Sequence, residues 1–249
     1  MNYKAVLAYD GTAYAGWQRQ LKQPTIQAEI ELVLGVLNGS AVVAHSAGRT
    51  DAGVHAAGQV ISFRLDREWV PARLRRALNG NLPADIRILT VEPVADDFHP
   101  RFNTHRKTYR YQVVTAPVMS PFLRRYALHY PFELDHQRLA SHAAQLVGRH
   151  DFRGFTVTDC EATTSVRTVT AVELRQDGEV IAIDITGNGF LRYQVRTMVA
   201  ALLELNGDRH RRYAARGIYS MAALIDAGER SLIGSTAPAH GLTLMKVEY

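Results

Sequence analysis

The stretch TIQAEIELVLGVLNG, residues 25–39, decides how the first part of the chain folds. Apolar side chains recur at the spacing of one helical face, at Ile26, Ile30, Val33, Leu34 and Leu37. Thr25 is a suitable N-cap, and Gly39 can adopt the left-handed conformation that ends a helix. The pattern predicts an amphipathic helix between these two residues.

Working outward, β-like runs lie on both sides of this helix, near Ala5–Tyr9, Ala41–His45, Gln59–Leu65 and Ile86–Val91. Pro71 can begin a second helix in which Leu74 and Leu78 face inward, while Arg73, Arg75 and Arg76 form a basic surface. This helix also reaches a Leu-Asn-Gly sequence, which predicts its end at Gly80. The order is therefore strand, helix, strand, strand, helix, strand.

The second half repeats this order without an obvious sequence repeat. Its predicted strands are Tyr109–Val114, Val166–Arg175, Val180–Thr186 and Leu242–Val247, and its predicted helices lie near 135–146, 191–205 and 221–227. Asp177-Gly178 predicts a hairpin turn, since both residues tolerate positive φ. Ile181, Ile183 and Ile185 would share one buried face, and the Leu-Asn-Gly sequence at 205–207 predicts another helix end.

These elements predict an α+β fold of two related βαββαβ-like subdomains, which form a largely antiparallel sheet flanked by helices. We assign residues 1–105 to the N-terminal subdomain and residues 106–249 to the C-terminal one. The connector Phe98–Lys107 combines aromatic and basic side chains, which suits RNA contact as well as domain linkage.

Composition sets the protein class. The 249 residues are 47% hydrophobic, enough for one large domain or two small ones. No apolar run reaches the roughly 18 residues of a membrane span, and Met1 leads directly into a strand-like run, so we expect a soluble cytoplasmic protein. Cys160 is the only cysteine, which excludes an intrachain disulfide and favours a packing role.

The formal charge of +5 suits an acidic partner without requiring one. Only four of the 29 basic residues are lysines, so arginine carries most of the positive charge. Guanidinium groups clamp phosphate and stack on bases, although surface ion pairs would explain the same preference.

The sequence GRTDAGVHA, residues 48–56, is the best candidate for chemistry. Gly48 and Gly53 permit a tight turn from which the Asp51 carboxylate can project, with the charge of Arg49 nearby. Asp51 could equally hydrogen-bond its own loop. His55 lacks further ligands at a diagnostic spacing, and no phosphate-binding or dinucleotide-binding glycine loop is present, so we expect neither a metal nor a cofactor.

The GRTDAGVHA sequence resembles the active-site signature of the tRNA pseudouridine synthase A family. Further blocks resemble that family in the same order: Tyr9–Thr12, Gly16–Gln18, Gln23–Gln27, Lys107–Tyr111, Gly189–Leu191 with Val195-Arg196, and Ala237–Leu242. Two positions depart from the family pattern. Arg192-Tyr193-Gln194 stands where a His and Met stretch is frequent, and Thr104 stands where Ala is usual.

The resemblance implies isomerisation of uridine to pseudouridine at positions 38–40 of the tRNA anticodon stem-loop by a homodimer. It makes Asp51 the catalytic carboxylate, acting as a nucleophile at C1′ or as a base at C2′ that gives a glycal; both routes stay open.

The resemblance also implies four substrate-binding residues. Tyr109 would stack on the target base, and Arg196 would favour the ionised form of the Asp51 carboxylate. Arg49 would help to open the RNA stack or fill the vacated space, and Leu242 would line an apolar pocket. Each has an ordinary structural alternative: a strand core residue, a surface charge, loop stabilisation and a buried terminal strand, respectively.

Two other functions compete with this interpretation. A noncatalytic RNA-binding module would explain the basic connector and the arginines. A retaining glycosidase would also use a carboxylate, but it requires a second one about 5 to 5.5 Å away, and no paired-carboxylate motif is visible.

Overall fold

The computed structural model describes residues 1–157, 162–207 and 211–249. Cys160 lies outside the described residues, so its packing role stays a prediction. Among the described helices, none is long and apolar enough to cross a membrane.

Strands and helices are interspersed along the described chain. The strands are β1 (Asn2–Tyr9), β2 (His45–Ser46), β3 (His55–Arg64), β4 (Ile86–Pro93), β5 (Arg106–Val114), β6 (Leu128–His129), β7 (Gly148–Asp151), β8 (Val166–Asp177), β9 (Val180–Gly187) and β10 (Leu242–Glu248). The helices are α1 (Ile26–Asn38), α2 (Pro71–Asn81), α3 (His136–Ala144), α4 (Gln194–Asn206), α5 (Arg211–Ala214) and α6 (Met221–Ala227). The predicted α+β fold class is confirmed.

The chain divides into two compact units. The first comprises Met1–His105 and Thr243–Tyr249, and the second comprises Arg106–Leu242. The predicted second subdomain extended to residue 249, whereas the last strand joins the first unit. The reason is backbone pairing, since β10 runs parallel to β3 with Thr243 opposite His55 and Leu244 opposite Ala56.

The first unit is built on β3. One edge of β3 pairs antiparallel with β1, which pairs antiparallel with β4, and the other edge pairs with β2 and β10. Helices α1 and α2 pack against each other, and α2 also packs on β4. Their inward side chains, including Ile30, Leu34, Leu74 and Leu78, are buried as predicted.

The second unit contains an antiparallel sheet in the order β5, β9, β8, β7, with the short β6 parallel to β5. Ile181, Ile183 and Ile185 share a buried face, which confirms the predicted alternation. Helices α3, α4 and α6 pack against one another. Helix α4 is buried on nearly all sides, so it lacks the broad exposed polar face of an amphipathic helix.

Local signals fixed α1 as expected. The Thr25 hydroxyl accepts a hydrogen bond from the Ala28 amide, and Gly39 is left-handed with φ 79°. The predicted end of α2 at Gly80 is wrong, because the helix continues to Asn81 and Leu82 is extended. Pro83 explains this end, since the residue before a proline is restricted to extended conformations.

Three further expectations require correction. Gly207 ends α4 in an extended conformation with φ −88°, so it is not a left-handed cap. The hairpin turn is Gly178-Glu179, because Asp177 still pairs with Val180, and of these two residues only Gly178 has positive φ. The predicted strand near residues 41–45 is reduced to β2, which pairs with β3 through His45 and Ser46.

Candidate active site

Asp51 lies in the loop between β2 and β3 and is partly exposed. The Asp51 carbonyl accepts a hydrogen bond from the Val54 amide at 3.1 Å, which closes a turn with Ala52 and Gly53 at its centre. Gly53 takes the left-handed conformation with φ 77°, whereas Gly48 does not have positive φ. The predicted turn is therefore present, and only one of the two glycines supplies its special geometry.

The backbone of this loop is held against an earlier loop, residues 10–17. The Trp17 amide donates to the Thr50 carbonyl at 3.0 Å, and the Gly53 amide donates to the Tyr14 carbonyl at 3.3 Å. A Cβ on Gly16 would lie 2.6 Å from the Thr50 carbonyl oxygen. The two loops are thus in direct backbone contact on both sides of Asp51.

Gly11 makes an even closer approach to the same loop. A Cβ at this position would lie only 2.1 Å from the Val54 carbonyl oxygen, far inside van der Waals contact. This close approach requires glycine, whereas the backbone conformation does not, since Gly11 does not have positive φ.

Buried polar side chains support the loop from beneath. The Tyr9 hydroxyl and the Thr50 hydroxyl are hydrogen-bonded at 2.8 Å, and the Gln59 amide donates to the Gly48 carbonyl at 2.8 Å. Burial raises the pKa of Tyr9 to about 12, so its phenol stays neutral at physiological pH. A fixed network of this kind restricts where the Asp51 backbone can move.

His55 begins β3 and is buried. Its Nδ1 accepts a hydrogen bond from the Gly11 amide at 3.0 Å and lies 3.1 Å from Oδ1 of Asp10. The contact fastens the 10–17 loop to the end of the loop that carries Asp51, which the sequence did not reveal. Within the described residues, no group of three or more His, Cys, Asp or Glu side chains could hold a metal ion.

Arg49 lies on the same loop as Asp51, two positions earlier, and is exposed. The structure therefore places these two predicted site residues together in the first unit. The other three, Tyr109, Arg196 and Leu242, belong to the second unit.

Tyr109 lies on β5 with 8% of its surface exposed. Its ring meets Phe190 edge to face, with the two ring centroids 5.4 Å apart and the planes at 88°. Tyr111, two residues later on the same face, is fully buried, and its hydroxyl donates to the Pro238 carbonyl at 2.9 Å. Tyr109 is therefore a largely buried strand residue whose ring contacts the half-buried Phe190.

Arg196 lies on α4, as predicted, and is fixed to the segment before β10. Its Nε donates to the Ala237 carbonyl at 2.7 Å, and its own carbonyl accepts from the Ala237 amide at 3.2 Å. The guanidinium carbon also lies 5.1 Å from the centroid of the Tyr193 ring. The hydrogen bond to Ala237 and the contact with the Tyr193 ring therefore orient the Arg196 guanidinium.

Tyr193 is the least expected residue of this group. It is left-handed, with φ 64°, at the N-cap of α4, a conformation that is costly for a bulky side chain. The guanidinium of Arg192 lies 4.9 Å from the same ring. No sequence signal indicated this strain, although the residue belongs to the stretch that departs from the family pattern.

Leu242 is buried where the 3₁₀ helix Ala239–Gly241 passes into β10. A Cβ on the preceding Gly241 would lie 2.5 Å from Cζ of Tyr111. Burial raises the pKa of Tyr111, and the positive charge of Arg196 opposes this increase. Tyr111, Arg196 and the segment leading to Leu242 therefore form one packed cluster within the second unit.

Comparisons with known proteins identify the family to which this chain is similar. A family model described as tRNA pseudouridine synthase matches residues 5–103 and 142–249. Among similar proteins, tRNA pseudouridine synthase A of Streptococcus equi subsp. equi is 42% identical over 250 residues, covering 99% of this chain and 98% of the relative. The protein of the same name from Streptococcus mutans is 41% identical over 252 residues, covering 100% and 99%. The chain therefore belongs to the tRNA pseudouridine synthase family.

Proposed function

We propose that this isomerase converts uridine to pseudouridine at positions 38–40 of the tRNA anticodon stem-loop, and that the Asp51 carboxylate begins the reaction. The observation that carries the proposal is the fixed loop around Asp51, which is closed by its own turn and held by the 10–17 loop. Such preorganisation keeps a reacting group in place without further ordering.

The reaction rearranges one nucleotide and needs no external oxidant or reductant. The bond from uracil N1 to ribose C1′ breaks, the base turns, and a bond forms from C5 to C1′. N1 gains a proton and C5 loses one to water, so product and substrate have the same composition. A tritium atom at C5 therefore reports completed isomerisation.

Asp51 has two chemically sound roles. Its carboxylate can attack C1′ as the glycosidic bond breaks, or it can remove the proton from C2′ to give a glycal. Both routes begin with the ionised Asp51 carboxylate and require that the ribose of the substrate can reach it. Partial exposure of Asp51 suits both, since a wholly buried carboxylate would have no access to substrate.

The remaining site residues are assigned binding roles. Arg49 would meet the RNA beside the extruded uridine, supported by its exposure and its place on the Asp51 loop. Tyr109 would stack on the uracil, supported by the edge-to-face contact with Phe190 that fixes the orientation of its ring. Leu242 would supply apolar contact to the base, and its buried position fits a pocket wall.

Arg196 would keep the Asp51 carboxylate ionised through its fixed positive charge. Support comes from its orientation by Ala237 and Tyr193, which restricts a side chain that is otherwise flexible. The proposed assembly is a homodimer acting on tRNA in the cytoplasm, without a metal or organic cofactor.

A tritium assay tests the proposal. Wild type and Asp51→Ala would be incubated with anticodon stem-loops in which the uridine at position 38, 39 or 40 separately carries tritium at C5. We expect wild type to release label from these positions and Asp51→Ala to bind RNA with almost no release. Binding without release by wild type would favour a noncatalytic RNA-binding module.

A further inference from the structure

A row of three aromatic rings, with both end residues exposed and the middle one half-buried, lies on the first unit outside the site described above. The ring centroids of His45 and His99 are 5.3 Å apart, and those of His99 and Phe102 are 4.4 Å apart. Phe102 ends the row with 77% of its surface exposed. We call these three residues with Arg101 the aromatic platform.

The turn that carries Phe102 is well anchored. The His99 carbonyl accepts from the amides of Phe102 and Asn103 at 3.2 and 3.1 Å, and the Asn103 side chain accepts from the His99 amide at 2.8 Å. The Pro100 carbonyl accepts from the hydroxyls of Thr104 and Tyr249. Phe102 is therefore displayed on an ordered turn, which lowers the entropy lost when a ligand packs on it.

The charge around the platform is positive. The guanidinium carbon of Arg101 lies 6.0 Å from the centroid of the Phe102 ring. Residues 98–107, FHPRFNTHRK, include two arginines and one lysine but no acidic residue. Asp96 and Asp97 precede the turn, and Asp96 is paired with Arg64 at 3.0 Å.

The platform is joined directly to the catalytic loop. His45 begins β2, and the chain runs from β2 into the turn that holds Asp51, six residues later. A fully extended chain spans at most about 3.6 Å per residue, so the Cα atoms of His45 and Asp51 are within about 22 Å. One RNA segment of several nucleotides is therefore long enough to contact both Asp51 and the platform.

We infer that the aromatic platform binds an unpaired nucleotide of the RNA substrate, with its base stacked on Phe102 and its phosphate near Arg101. This inference rests on the proposed function, because it adds a second contact to the same RNA. Stacking requires an open π-face and is tolerant of base identity, and an adjacent guanidinium suits the phosphate. A base-paired duplex hides those faces, so the platform selects single-stranded RNA.

Stem-loop and unstructured single-stranded RNA would be titrated against wild type, Phe102→Ala and Phe102→Trp. Phe132→Ala is the matched control, since Phe132 is 57% exposed but is followed closely by Glu133 and Asp135. Removal of one stacking aromatic costs about 1–3 kcal/mol, so Phe102→Ala should weaken binding between about 5- and 150-fold. Phe102→Trp should restore most of the affinity, and Phe132→Ala should leave it unchanged.

Turnover supplies an independent readout. Phe102→Ala should raise KM while kcat at saturating RNA stays near that of wild type, because the platform does not touch the reacting atoms. Unchanged RNA affinity in Phe102→Ala, or a loss that Trp does not rescue, would overturn the inference. Loss of self-association in Phe102→Ala with RNA affinity retained would instead identify a surface between two copies and would also overturn it. Absence of label release by wild type would refute the proposed function without altering these binding results.

Discussion

Gly11→Ala should displace the loop that carries Asp51. The new methyl group would lie 2.1 Å from the Val54 carbonyl oxygen, next to the turn that holds Asp51. Gly11 does not have positive φ, so alanine meets no backbone strain of its own. The effect of the substitution is therefore a displacement of one loop by the other.

The displacement can be derived from the contact. Ordinary van der Waals separation begins near 3.4 Å, so the two loops must part by about 1.3 Å if other coordinates are kept. A misplacement of about 1 Å can reduce catalysis about 100-fold, and overpacking costs about 1–3 kcal/mol of stability. We expect kcat to fall about 100-fold while the protein remains folded at 25 °C.

Single-turnover tritium release and denaturant unfolding would be measured on Gly11→Ala and on Gly58→Ala. Gly58 is the matched control, since its Cβ would lie 2.4 Å from the Met245 carbonyl oxygen, a similar clash away from the catalytic loop. Both variants should lose stability, but only Gly11→Ala should lose most of its rate. Equal rates for the two folded variants would refute the link between loop position and catalysis.

Three other substitutions probe separate parts of the molecule. Arg110→Leu should destabilise the protein by about 2 kcal/mol in denaturant unfolding, because the Asp184 carboxylate, which is 8% exposed, loses its two hydrogen bonds from Arg110 and keeps Arg175 at 3.6 Å as a more distant cation. This cost is below the roughly 3–5 kcal/mol of a fully buried pair, since Arg110 is 28% exposed, and adding Asp184→Leu should recover most of the loss. Burial raises the pKa of Tyr9 to about 12, so above pH 10 the folded state binds more protons than the unfolded state and the free energy of unfolding should fall between pH 10 and 12, by about 2–3 kcal/mol for this group. Tyr9→Phe should show a shallower fall of the unfolding free energy across that range, and a slope identical to that of wild type would contradict the assignment. Tyr193→Asn should raise the free energy of unfolding by about 1 kcal/mol, because asparagine tolerates the left-handed backbone, yet it should lower kcat/KM because Arg196 loses its contact with the Tyr193 ring. Tyr193→Phe keeps that ring and should retain activity, whereas a loss of both stability and activity in Tyr193→Asn would indicate a purely structural role.

The sequence predicted those features whose causes are local. Thr25 and Gly39 determine the ends of α1 through contacts within a few residues, and the alternation of Ile181, Ile183 and Ile185 follows from strand geometry. The predicted end of α2 at Gly80 is wrong because Pro83 restricts the preceding residue, Leu82, to an extended conformation.

Features that depend on distant contacts were not predictable in the same way. The packing of Gly11 against Val54 joins residues far apart in the sequence, and neither residue type signals its partner. The left-handed Tyr193 contradicts its own conformational preference, which only the surrounding structure can impose. Asp51 was recognisable from its motif, but the network that fixes its loop appeared only in the folded chain.

The central claim is that an ionised carboxylate at Asp51 begins the isomerisation. The most direct test is single-turnover tritium release by Asp51→Asn, which keeps the size of the side chain and removes its charge, on a stem-loop bound at saturation. The account predicts wild-type RNA affinity with almost no release of label. Release at a rate near that of wild type would contradict it.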